Sequence, residues 1–243
     1  MKARQAVICA ALLGVFAIDY PQCGSYRATH AQLAQVYLRD GLYGQALAEA
    51  RRAIREDGPE ARLLLVCALA HLGLDEIDAA LERLGQAIAL DPDNGDLHAV
   101  LRDICLRHER FAQAQALLDR LGADHPHNAW LAATQGWLHA RQERLVEAEQ
   151  ALWRAIELDD EHLFARIELS QILIDSGRFG EAESALAAAL DLQPENPQLL
   201  LILGDCQLRL DHDAEADTTL ARALGTRVID PVDIARLYYQ HQR

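Results

Sequence analysis

The stretch GWLHARQERLVEAEQALWRAIELDD, residues 136–160, decides the fold. Gly136 is followed by Ala148 twelve positions on, and by Ala155 seven further. Apolar residues lie three and four apart around them, the spacing of one helical face. Shifting the chain by 34 residues places these small residues on others of their kind. Ala148 falls on Ala46, Ala80, Ala114, Ala182 and Ala216. Ala155 falls on Ala53, Ala87, Ala189 and Ala223, and only Leu121 breaks that column. Gly136 falls on Ala34, Ala68, Ser170 and Gly204, with Arg102 as the exception. Three positions before each alanine of the first column stand Tyr43, Ile77, Phe111, Leu145 and Phe179, with Asp213 the outlier. Four positions after it stand Leu84, Leu118, Leu152, Leu186 and Leu220, and Pro92, Pro126 and Pro194 share another column. Agreement of several columns at one period is the mark of a tandem array.

With Arg27 as the first residue, the repeats are 27–60, 61–94, 95–128, 129–162, 163–196 and 197–230, without gaps. Each reads as two helices joined by a polar turn, with Gly41 or Gly177 where a left-handed backbone is wanted. The second helix runs about fourteen residues. Proline then stops it by clashing with the preceding turn. Asn196-Pro197 and Asp230-Pro231 each pair an N-cap side chain with proline at the first helical position. Antiparallel helices pack 8–10 Å apart, and the close end of that range needs small side chains at the crossing. Gly136 is therefore expected to face Ala148, and Ala155 to meet the first helix of the next repeat.

These columns resemble the tetratricopeptide repeat family over residues 27–230. Small residues at repeat positions 8, 20 and 27, a large residue at 17 and proline at 32 carry the likeness. The resemblance implies an all-α fold, a right-handed superhelical solenoid of antiparallel helix pairs. Repeat three departs from it at Arg102, Leu121 and Gly122, so an early end to its second helix and looser stacking are expected. Repeat six departs at Asp213 and Val228. Residues 231–243 read as a capping helix, with Ile234, Leu237 and Tyr238 packed on repeat six and a polar outer face.

Composition agrees with an all-α chain. Half of the 243 residues are hydrophobic and only 5% aromatic, and strong helix formers dominate. A net charge of −14 argues against nucleic acid, whose phosphates require a basic stripe. Lys2 and Arg4 precede thirteen uncharged residues, Ala6 to Ile18. That run suits a signal peptide or membrane-anchor leader over 1–18, with 19–26 as linker. Val15-Phe16-Ala17 offers the small residues of a cleavage site. Cys23 follows a poor lipoprotein box. The leader implies export to the periplasm or anchoring at the envelope, with possible membrane association through the N-terminus. The alternative is a cytoplasmic protein whose apolar N-terminus packs on the array. Cys67, Cys105 and Cys206 lie on apolar helix faces as small hydrophobes, and this fits a reducing compartment slightly better. The odd, scattered set of five cysteines is no disulfide framework.

A search for chemistry finds no nucleophile motif, metalloprotease helix or phosphate loop. His71, Cys105 and His139 share one column in three successive repeats and form the remote case for a metal-dependent enzyme. Filling of interhelical space is the plainer reading. No enzyme activity, cofactor or metal is expected.

A search for a groove is more productive. By resemblance, first-helix positions 2, 5, 9 and 12 line a concave surface. The candidate groove residues are Leu65, Leu69, Trp130, Trp137, Phe164, Ile167, Gln171 and Leu201. Trp130 and Trp137 are seven apart and share a face, and Phe164 is the counterpart of Trp130 one repeat on. The expected partner is another protein, through an apolar or amphipathic segment. The repeats hold no lysine, and their asparagines lie in repeat-joining turns. A carboxylate clamp for heat-shock chaperones is therefore not expected. These features point to a non-enzymatic scaffold in pilus, secretion or polysaccharide assembly at a bacterial envelope. A cytosolic adaptor or secretion chaperone is the runner-up.

Overall fold

The computed structural model describes residues 29–241. The proposed leader, linker and first two residues of repeat one lie outside the described residues, as do the last two of the chain. The described residues form thirteen helices and no strand. The chain divides into two compact units after His125.

The first unit holds α1 (His30–Arg39), α2 (Tyr43–Asp57), α3 (Ala61–Gly73), α4 (Ile77–Leu90), α5 (Gly95–His108) and α6 (Phe111–Asp124). A capping box starts α1. The Thr29 hydroxyl accepts from Gln32 N–H at 3.3 Å, and Gln32 Oε1 accepts from Thr29 N–H at 2.9 Å. Orphan donors at the helix start are thereby satisfied. The core of this unit includes Ala46, Ala53, Ala68, Ala80, Leu84 and Ala87, all 0% exposed.

The second unit holds α7 (Ala129–Arg141), α8 (Leu145–Leu158), α9 (Leu163–Asp175), α10 (Phe179–Leu192), α11 (Pro197–Arg209), α12 (Asp213–Gly225) and α13 (Pro231–His241). Gly136 lies at the α7–α8 crossing as expected. A Cβ there would stand 3.1 Å from the Ala148 carbonyl oxygen and 2.7 Å from Leu152 Cγ. Ala148, Leu152 and Ala155 are fully buried in one core with Leu169, Leu186 and Leu199. Asn128 and Asn196 cap α7 and α11, the latter with Pro197 in the first turn. Arg154 and Arg222 donate to the Pro126 and Pro194 carbonyls at 2.6 and 2.7 Å, tying a second helix to the preceding proline turn.

One column governs the turns. Gly41, Asp75, Glu109, Glu143, Gly177 and Asp211, each at repeat position 15, all have φ between 55° and 75°. Glycine takes that backbone freely, whereas other residues are strained by about 1–2 kcal/mol. In five repeats the next N–H reaches the carbonyl five residues back, as in Arg144 to His139 at 3.0 Å and Arg178 to Leu173 at 2.8 Å. This six-to-one bond closes a Schellman cap. Repeat three differs: Glu109 N–H donates to Cys105 O at 3.0 Å and α5 is one residue longer than α3 or α7.

The expected early end of its second helix is not found. α6 has 14 residues, as do α4, α8 and α10. Leu121 is 3% exposed, and its carbonyl accepts from His125 N–H at 2.8 Å. Core anchorage outweighs the roughly 1 kcal/mol helix penalty of Gly122. The hairpin itself is splayed, with α5 and α6 meeting along much less of their length than other pairs. Arg102 stands where the other hairpins place glycine, alanine or serine, and its bulk prevents close approach.

The last helix, α13, packs on the hairpin before it. Ile234 is buried, while Leu237 and Tyr238 pack against the core. The Tyr238 hydroxyl donates to Asp217, and His241 Nε2 lies 2.8 Å from Asp205 Oδ1. The sequence suggested a polar outer face, and the structure corrects this. Val232 is 53% and Tyr239 81% exposed.

Candidate functional site: an aromatic face on the first helices

In the second unit, Trp130 and Phe164 start successive first helices at repeat position 2. Their rings stack with centroids 6.1 Å apart and planes 12° from parallel. The His162 ring supports them, 4.4 Å from Trp130. His162 is itself fixed, since its Nδ1 accepts from Ala165 N–H at 3.3 Å as the N-cap of α9. Trp130 and Phe164 remain partly exposed. They form a preformed apolar shelf with little side-chain freedom left to lose.

The other candidates separate by burial. Ile167 and Leu201 are partly buried on the shoulder of the core. Gln171 is exposed, and its Nε2 donates to Asp175 at 2.8 Å. Trp137 is only 3% exposed, with the Arg141 guanidinium 5.6 Å from its ring centroid. Helical spacing puts Trp137 on the face of Trp130, but packing encloses it. Leu65 and Leu69, in the first unit, are 7% and 5% exposed. A bound segment would reach these three only through their neighbours. On the same face of the first unit, Arg62 Nη2 donates to Gln35 Oε1 at 3.1 Å.

Two features were missed in the sequence. Val232, Ala235 and Tyr239 of α13 occupy positions 2, 5 and 9 of a partial seventh repeat, and all three are exposed. The 34-residue register contained that signal. The second is a cleft of about 540 Å³ between α4 and α6, lined by Asp78, Leu81, Glu82, Gln113, Leu117 and Arg120 among others. It accompanies the splayed third hairpin, where Arg102 led to the expectation of looser stacking.

The titratable column offers little chemistry. His71 Nδ1 lies 2.5 Å from Glu76 Oε2. Cys105 is fully buried, and desolvation pushes its thiol up to about 11. It is therefore protonated at neutral pH, the unreactive form. Among the described residues, no three His, Cys, Asp or Glu side chains stand together as a metal site. No described helix is long and apolar enough to cross a membrane.

Stacked antiparallel helix hairpins at a 34-residue period define a helical-repeat protein. Tetratricopeptide repeat models match residues 71–138 and 173–228, and residues 32–94. The chain belongs to the tetratricopeptide repeat family. Proteins of this family are generally non-enzymatic scaffolds. A TPR repeat-containing protein of Treponema pallidum (strain Nichols) is 31% identical over 153 residues, 51% of this chain. The match spans only 18% of that relative's length. Among solved structures, the type IV pilus biogenesis factor PilW is similar at 24% identity and TM-score 0.63, over 86% of this chain and 96% of PilW. PilF of Pseudomonas aeruginosa is similar at 18% identity and TM-score 0.59, over 87% of this chain and 96% of PilF. YrrB, described as a TPR protein with an unusual peptide-binding site, gives 20% identity and TM-score 0.53, over 77% and 96%.

Proposed function

We propose that this chain is a non-enzymatic scaffold that holds an apolar or amphipathic segment of a partner protein against the first-helix face of residues 126–241. The stacked Trp130–Phe164 pair carries this reading. Both rings are partly exposed, ordered by His162, and larger than the repeat requires at position 2. Burying each could contribute roughly 1.5–3 kcal/mol, before the costs of association. Inward aromatics are common anchors of peptide recognition.

We place this activity in assembly or secretion at a bacterial envelope. Two observations support that setting: the Lys2–Arg4 cluster before the uncharged run to Ile18, and the same fold in a type IV pilus biogenesis factor. A cytosolic adaptor or secretion chaperone is the second reading, favoured by three free, buried thiols. The mass of the N-terminus from cells separates the two. Loss of the leader supports export, while intact Met1 in the soluble fraction supports the second. The groove is tested by photocrosslinking from position 130, compared with position 153 on α8, followed by mass spectrometry. Crosslinks to one protein from 130 but not from 153 are expected. Equal labelling from both positions would refute the face.

A further inference from the structure

The last helix does more than close the array. Its buried side, Ile234, Leu237 and Tyr238, faces the core. Its opposite side continues the candidate binding face through Val232 and Tyr239, the latter the most exposed large hydrophobic residue described. The hydroxyl of the neighbouring Tyr238 donates to Asp217. Burial, that hydrogen bond and the charges of Asp217 and Asp213 together raise the Tyr238 phenol to about 12. Asp205 lies against His241. Across residues 126–241, 20 carboxylates oppose nine arginines, against 16 and ten in residues 29–125. The larger acidic excess thus lies in the unit that carries the exposed aromatics.

We propose that the second unit binds a cationic-apolar segment of a partner protein: aliphatic or aromatic side chains on the Trp130–Phe164 shelf, and an arginine or lysine on Tyr239. This rests on the groove reading above and specifies its ligand. A cation over the Tyr239 ring is attracted by its π face. The net negative charge of the unit steers a basic segment toward it. An extended segment of about nine residues, rising ~3.3 Å each, reaches about 30 Å.

The test uses the full chain and a phage-displayed library of random nonapeptides. Enriched peptides are expected to combine apolar residues with at least one arginine or lysine. The synthetic form of the most enriched peptide should lose binding with Trp130→Ala. It should weaken about tenfold with Tyr239→Ser, keep its affinity with Tyr239→Phe, and weaken in about 0.5 M salt. Tyr239→Ser should leave the melting temperature unchanged, because the residue is 81% exposed. Peptides that need Trp130, lack basic residues and ignore Tyr239→Ser would overturn the inference and leave the groove standing. Failure to select any peptide, or indifference to both substitutions, would remove the groove and the inference together.

Discussion

Replacing Gly136 tests the packing that the fold depends on. A Cβ at this position would meet Leu152 Cγ at 2.7 Å, Leu152 Cδ2 at 2.9 Å and the Ala148 carbonyl oxygen at 3.1 Å. Neither obstacle yields cheaply. Leu152 is fully buried, and the carbonyl belongs to the backbone of α8. Gly136→Ala should gain about 1 kcal/mol of helix propensity and lose about 1–3 kcal/mol to overpacking. The net is a loss of about 0–2 kcal/mol. Gly136→Val adds two methyl groups at the same contact and gains less propensity, so about 3 kcal/mol is expected. At roughly 2–4 °C per kcal/mol for a chain of this size, the melting temperature should fall about 6–12 °C. Urea titration followed by tryptophan emission is the assay, since Trp137 is buried beside the substituted residue. Gly85→Ala is the internal comparison. There the added Cβ meets a terminal methyl of Leu117 at 2.7 Å, and Leu117 lines the open cleft. It should be neutral or slightly stabilising. A Gly136→Val protein as stable as the parent would refute the close-crossing account.

Four further outcomes follow from the same geometry. Trp137→Ala should cost about 3–5 kcal/mol of stability, so its unfolding midpoint, and not partner binding, is the quantity to measure; an unchanged midpoint would show that the indole is not enclosed. Cys67, Cys105 and Cys206 should resist a thiol reagent at neutral pH until the chain unfolds, since all three are buried. Burial raises Cys105 and Cys206 from 9.0 to about 11, so the folded state holds its thiol protons more tightly than the unfolded one; their stabilisation is complete below pH 9 and is lost as pH rises toward 11, visible in melting curves across that range. Tyr238→Phe should weaken docking of α13 by about 1 kcal/mol, read as faster amide exchange in residues 231–241 with α9 and α10 unchanged.

The fold was legible because a solenoid is specified by local repetition. Every alanine of the position-20 column, from Ala46 to Ala216, is fully buried. The proline column lies two residues beyond the ends of α4, α6 and α10, at Leu90, Asp124 and Leu192. Repeat three was legible only in part. Arg102 and Leu121 marked the departure, but sequence could not weigh a helix-weakening Gly122 against the burial of Leu121. Helix length followed the burial, and the misfit appeared as a splayed hairpin.

The sequence by itself determined where the helices lie, how they pair and which face of each turns inward. Those properties depend on spacings of three, four and 34 along the chain. Tertiary structure alone decided which inward residues meet solvent. Trp130 and Trp137 share a helical face, yet one is partly exposed and the other is enclosed. Exposure depends on how neighbouring helices close over a side chain, a distance between elements that no single helix encodes. For the same reason Tyr239 emerged as a surface residue only once Ile234 and Tyr238 had taken the buried side of α13.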